Sequence, residues 1–353
     1  MSKHGVNWEY IFKRHGDFWK RESRDVLLAV TTLKDGAVPE SFPFPEGREN
    51  RIKWWTDAEQ IIKRFRSRLE KTYYAGDAFP ILSHNLGPAG HAGFFKNAKP
   101  RYESSIWYEP SLDDYNDLVF DENSFLYQKT LEMAKAYVED AKGEYMVSMP
   151  DVVSDSDVLS HLRGPENFIC DLVDRPEEVK AALKIVQTVW EKTMRGCYDI
   201  VAANNRGGSC VGWLNTWAPG FHAQLQCDAS VMFSPEMFEE FICYELEAQA
   251  GFLDYSLYHL DGPQQVRHLP YILAVEKLDA IQWTNVVGQA PVTAFIPELQ
   301  QIQQAGKLLV LDCSPDEVSV LLDNLKPEGV YIRTWADNPG EADDLVGMVR
   351  SGN

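Results

Sequence analysis

Short apolar runs that end in polar or aromatic residues, spaced by stretches of helix length, constrain this 353-residue chain most strongly. The clearest case is Tyr255-Ser-Leu-Tyr-His-Leu-Asp-Gly-Pro263, followed by Leu278-Asp-Ala-Ile-Gln-Trp283. Residues 264–277 between them suit one crossover helix, so the pair reads as a strand-helix-strand unit. Its reactive side chains, His259, Asp261, Gln282 and Trp283, stand where the strands finish. In parallel α/β architectures that edge carries the chemistry.

The same pattern gives eight candidate strands, at 78–82, 144–148, 208–212, 223–227, 256–259, 279–283, 308–312 and 329–333. Helical patterns fall between most of them. Residues 124–142 space Phe125, Leu131, Ala134 and Val138 along one face. The helix over 175–195 opens on Pro176-Glu-Glu, with proline where no donor is needed and acids where the helix dipole favours them. Ser234-Pro-Glu-Met and Ser314-Pro-Asp-Glu repeat a cap-then-proline signature. Eight strands alternating with helices predict a single α/β domain, a (β/α)8 TIM-type barrel over residues 56–353, with a doubly wound open sheet as the alternative. Residues 1–55, rich in charge and aromatics, are expected to form an N-terminal extension packed on the outside or bottom.

Hydrophobic content of 44% and charged content of 25% suit a globular core. A formal charge of −19 disfavours nucleic acid and anionic membrane surfaces as partners. The N-terminus has no signal-like apolar segment and no run is long enough to span a bilayer, so a cytoplasmic protein is expected. Six scattered cysteines without a CxxC read as reduced thiols.

Residues just after the strands converge on one mouth: His84, Asn85, Asp151, Trp213, Trp217, Asp228, His259, Asp261, Trp283, Cys313 and Trp335. Of these, His84, Asn85, Asp151, Asp228 and Trp283, together with Trp107, are candidate substrate-binding residues in a partly apolar pocket. Indoles facing the mouth could cage a methylated ammonium group or stack a planar ring. His259-x-Asp261 places two ligands on one side of an extended segment, and Cys313 ends a neighbouring strand; together they could hold zinc with one position open. Without metal, His259 and Asp261 could act as an acid/base pair. Against both stands a plain turn, Asp261-Gly-Pro, closing the strand.

Asn85-Leu-Gly-Pro, Asp171-Leu-Val-Asp-Arg-Pro-Glu-Glu-Val, Ser234-Pro-Glu-Met-Phe-Glu-Glu-Phe and Tyr258-His-Leu-Asp-Gly-Pro make the chain resemble the uroporphyrinogen decarboxylase-like proteins over roughly 75–350. Relatives in that superfamily include the methylcobalamin:coenzyme M and cobalamin-independent methionine synthase methyltransferases. The resemblance implies a TIM-type barrel with its pocket at the C-terminal strand ends, and suggests a homodimer. The arginine-rich substrate motif of true uroporphyrinogen decarboxylases has no counterpart here, which disfavours porphyrinogen decarboxylation. The methyltransferase relatives hold zinc through His-x-Cys and a later cysteine. Here His259 matches the histidine, Asp261 replaces the first cysteine, and the last strand has none. The expected function is therefore methyl transfer between a small substrate and a corrinoid or thiol, zinc-assisted through His259, Asp261 and Cys313, with a corrinoid protein as partner. The alternatives are a metal-free decarboxylase (lyase) acting on a small carboxylic acid, and a barrel that binds a ligand without catalysis.

Overall fold

The computed structural model describes residues 4–284 and 288–351. Its centre is a seven-stranded sheet in the order Thr72–Gly76, Leu27–Leu33, Val330–Trp335, Leu308–Asp312, Ala280–Trp283, Tyr255–Leu260 and His222–Leu225. All neighbours are parallel except Thr72–Gly76, which runs antiparallel to Leu27–Leu33. Ile81–His84 and Met146–Pro150 form a separate parallel pair. Two hairpins, Lys99–Tyr102 with Ile106–Glu109 and Ser209–Val211 with Thr216–Ala218, complete the β structure.

Among the described residues the ladder is open, and the expected eight-strand ring is not closed by main-chain pairing. The reason lies at two places. The expected strand at 208–212 folds back on Thr216–Ala218, and side chains take over its pairing with both neighbours. Asn205 clamps Val147 through both its N–H (3.1 Å) and its carbonyl (2.7 Å). Gly212 N–H donates to Ser148 Oγ at 2.8 Å, and Ser209 Oγ accepts from His222 N–H and donates to His222 O. At the other edge Thr72–Gly76 occupies Leu27–Leu33, and Asp77 accepts the Leu28 N–H at 2.8 Å.

Residues 1–55 do more than pack outside, since Leu27–Leu33 is a sheet strand. The helix Trp8–Trp19, capped by Asn7, drives Phe18 and Trp19 against Leu27, Ala29, Leu257, Ala280, Leu308, Val310 and Tyr331. These residues sit early in their strands, so the helix closes the N-terminal end of the sheet. Trp19 Nε1 donates to Trp217 O at 2.8 Å, satisfying the one polar atom this burial would strand. The opposite face packs under the helices, chiefly Pro176–Val201, which buries Val179, Leu183, Val186, Trp190 and Met194. Ser124, Ser234 and Ser314 each sit at the expected helix start; Ser314 forms a reciprocal box with Glu317. No described helix is long and apolar enough to cross a membrane, and all six cysteines are free thiols.

Alternation then decides what each strand offers to the site. Along Tyr255–Leu260, Leu257 faces the inner cluster while Tyr258 and Leu260 face the helices. Two residues beyond Leu257 on the same side comes His259. The same parity places Gln282 after Ala280, Asp312 after Val310, Arg333 after Tyr331, and Gln224 after His222.

Candidate active site at the C-terminal strand ends

His259 and Gln282 are register partners on adjacent strands. Gln282 Nε2 donates to Asp312 Oδ2 at 3.1 Å, and Asp312 is itself paired with Arg333 at 3.3 Å. A carboxylate accepts only, so the amide must turn its oxygen toward His259. Gln282 Oε1 lies 2.5 Å from Nδ1, and Thr284 Oγ1 lies 3.0 Å from the same atom. The proton is thereby held on Nδ1, leaving the Nε2 lone pair for a ligand. Arg333 donates to Trp213 O at 2.8 Å, and the Trp213 ring meets His259 edge-on at 4.9 Å, closing the circuit. Burial lowers the His259 pKa, so the ring enters as a neutral base.

Three donors gather here: His259, Asp261 and Asp228 present ligand atoms within 4.8 Å of one another. His259 Nε2 lies 4.0 Å from Asp261 Oδ1. The turn after the strand is closed by main chain, with Gly262 N–H donating to Leu260 O at 2.9 Å and Gly262 at φ +77°. The Asp261 carboxyl is thus free to face His259. Buried Gln265 fixes the spacing of the two acids: its Oε1 accepts the Asp261 N–H at 3.1 Å and its Nε2 donates to Cys227 O at 2.9 Å. Asp157 holds the other turn, accepting the N–H groups of Asp228 (3.0 Å) and Ala229 (2.7 Å).

Beside this triad, Asp151 Oδ1 accepts from Gln224 Nε2 at 2.9 Å, and Asp228 Oδ1 from Gln226 Nε2 at 3.4 Å. Burial pushes Asp151 up to about 7. Burial, then the nearby charges of Asp157, Asp261 and Asp151, push Asp228 up to about 8. The region is therefore rich in carboxyl groups, with one guanidinium, that of Arg333, already engaged. A separate cleft of about 370 Å³, lined by Leu33, Ile61, Arg64, Phe65, Arg68 and Leu82, includes none of these residues.

The structure brings together His259, Asp261 and Asp228, with Asp151 adjoining. It does not bring Cys313 to them. Cys313 follows Asp312, so its side chain takes the opposite parity and enters the core under the helices. Burial, with Glu317, Asp312 and Asp316 nearby, pushes its thiol well up, the reverse of what a metal-ready thiolate requires. Asp228 stands where Cys313 was expected. Trp283 is displaced for the same reason: it packs on Phe295 at 5.0 Å, and Gln282 takes the inner position. Asn85 spends its oxygen on Gly87 N–H at 2.6 Å, closing a local turn. His84 is buried edge-on to Tyr137 at 5.6 Å, and burial lowers it to about 4. Trp107 lies on the Ile106–Glu109 strand, its ring 6.1 Å from that of His161. Trp217 is core, Trp335 is exposed, and Trp213 alone of the indoles meets His259. Sequence reasoning named Gln282 at its strand end without giving it a role, and passed over Gln224, Gln226, Gln265, Asp312 and Arg333; counting in twos from His222, Val310 and Tyr331 would have found all of these but Gln265.

No protein-family model matches the chain, and no curated protein matches it. Among solved structures, a methyltransferase from Methanosarcina mazei matches with a TM-score of 0.61, covering 97% of this chain and 98% of that one at 11% identity. At that identity the likeness is one of fold, and it runs from end to end.

Proposed function

We propose that this protein is a metal-assisted methyltransferase of the uroporphyrinogen decarboxylase-like superfamily, acting at the C-terminal strand ends on a small molecule. The observation that carries the reading is the convergence of Asp228, His259 and Asp261 within 4.8 Å, in a fold matched over its whole length by a methyltransferase. One imidazole nitrogen and two carboxylates form a donor set that fits a divalent ion such as zinc, with a coordination position left for substrate. It contains no thiolate, so Cys313 has no part in it. When bound, the ion would polarise a substrate thiol or amine toward its nucleophilic form.

The chain's own residues do the rest. Gln282 and Thr284 hold His259 in the tautomer that offers Nε2. Gln265 and Asp157 set the separation of the two acids. Asp261, the most open of the three, receives the proton that an acceptor thiol releases as its sulfur takes the methyl group. We take a corrinoid protein as the methyl source or sink, with a second copy of the chain as the expected oligomeric partner. Incubating the protein with zinc, methylcobalamin and a panel of small thiols and amines tests the reading by the absorbance change of cobalamin demethylation. Demethylation that His259→Ala abolishes is expected; an unchanged spectrum across the panel would count against methyl transfer.

One observation favours a second reading. Asp151 and Asp228 hold protons near neutral pH, which suits metal-free proton transfer to a small carboxylic acid during decarboxylation. In that case Asp151→Asn abolishes turnover and added chelator leaves it intact.

A further inference from the structure

The strand His222–Leu225 continues its inward parity past its end. His222 lies deep, Gln224 is fully buried and Gln226 is 4% exposed. The two glutamines are two residues apart at the end of one strand, so their side chains project to the same side from Cα atoms about 7 Å apart. Each amide nitrogen is used, on Asp151 and Asp228 respectively. Each amide oxygen, by contrast, is buried without any hydrogen-bond partner. A buried amide oxygen left unpaired is costly, and two on one wall are an unusual expense unless a ligand supplies donors.

The charge around them points the same way. The groups next to the two amides are Asp151, just after Met146–Pro150, and Asp228, after His222–Leu225, which accept from them, with His259 and Asp261 gathered beside Asp228. Asp312 and Arg333 on the far side are paired with each other. Arg333 also donates to Trp213 O, so no free cation is left in the set to meet an anionic ligand. The one unpartnered N–H in the set is that of the Trp213 indole.

From these acceptors we infer that the small substrate carries a primary ammonium group, bound through its three N–H donors by Gln224 Oε1, Gln226 Oε1 and the Asp151 carboxyl. This names the substrate class for the site proposed above and rests on that reading for its chemistry, though not for its binding. An ammonium ion brings donors only, and three of them match three available acceptors. A carboxylate or sulfonate head would meet acceptors on every side. A quaternary ammonium would satisfy the charge but leave both amide oxygens unpaired.

The experiment is calorimetric titration of metal-free, chelator-treated protein with propylammonium, propyltrimethylammonium and butyrate. Propylammonium is expected to bind about tenfold or more tightly than either competitor, the size of one charge-assisted hydrogen bond. Gln226→Leu should erase the preference over propyltrimethylammonium, and Gln224→Leu or Asp151→Asn does so if that variant does not fold. Equal or tighter binding of butyrate overturns the inference, as does a preference untouched in folded glutamine variants. Ammonium binding without demethylation of methylcobalamin would sink the methyltransferase reading and keep this one; demethylation by an anionic thiol without ammonium binding would do the reverse.

Discussion

Two layers of the same strands behave as different materials. Low in the sheet, Leu27, Ala29, Leu257, Ala280, Leu308, Val310 and Tyr331 are apolar and sealed by Phe18 and Trp19. One alternation higher, the same strands present His259, Gln282, Asp312 and Arg333, and just beyond them Asp228 and Asp261. The lower layer is held by burial. The upper layer is held by a circuit of directed hydrogen bonds in which each polar group fixes the next. The lesson is that a step of two residues along a strand carries the chain from stability to chemistry.

The largest effect expected from breaking this division lies in the lower layer. Trp19→Ala removes a buried indole and orphans Trp217 O, and should cost about 3–5 kcal/mol of stability by chemical denaturation. Gln265→Leu removes the brace between the Asp228 and Asp261 turns. It should weaken zinc binding roughly 10–100-fold by chelator competition, although it touches neither ligand side chain. Asp151→Asn comes next. The native carboxyl, pushed up to about 7, keeps its proton above the ordinary 3.8 at which the unfolded chain releases it. The unfolded state then binds fewer protons, so stability falls as pH rises from about 4 to 7. The Asn variant should lose that part of the slope in melting temperature against pH. Cys313→Ala is the smallest: about 1 kcal/mol of lost packing, with zinc content unchanged.

Much of the fold was legible because burial imposes a period. The strands at 256–259, 279–283, 308–312 and 329–333 appear within a residue or two of their expected limits, and the Ser-Pro helix starts at 234 and 314 hold. Leu27–Leu33 escaped because only its first half is buried, so Leu-Leu-Ala-Val-Thr-Thr-Leu has no alternating signature. The ring failed to close because pairing around 208–212 passed to Asn205, Ser148 and Ser209, whose side chains imitate a ladder no periodicity reveals. In the site, His259, Asp261 and Asp228 were readable as titratable residues at strand ends. Cys313 and Trp283 were placed one residue out, where parity turns a side chain to the other face of the sheet. Gln224, Gln226 and Gln265 were invisible to a search for titratable groups, and Gln282 was named at its strand end without a role; yet Gln282 sets the tautomer of His259 and Gln265 the spacing of the acids.

The most direct test is an anomalous-scattering map from crystals of the protein grown with zinc. A single peak about 2.0–2.2 Å from His259 Nε2 and from carboxylate oxygens of Asp228 and Asp261 is expected, with nothing at Cys313. A peak on Cys313, or none among these three residues at saturating zinc, would contradict the account.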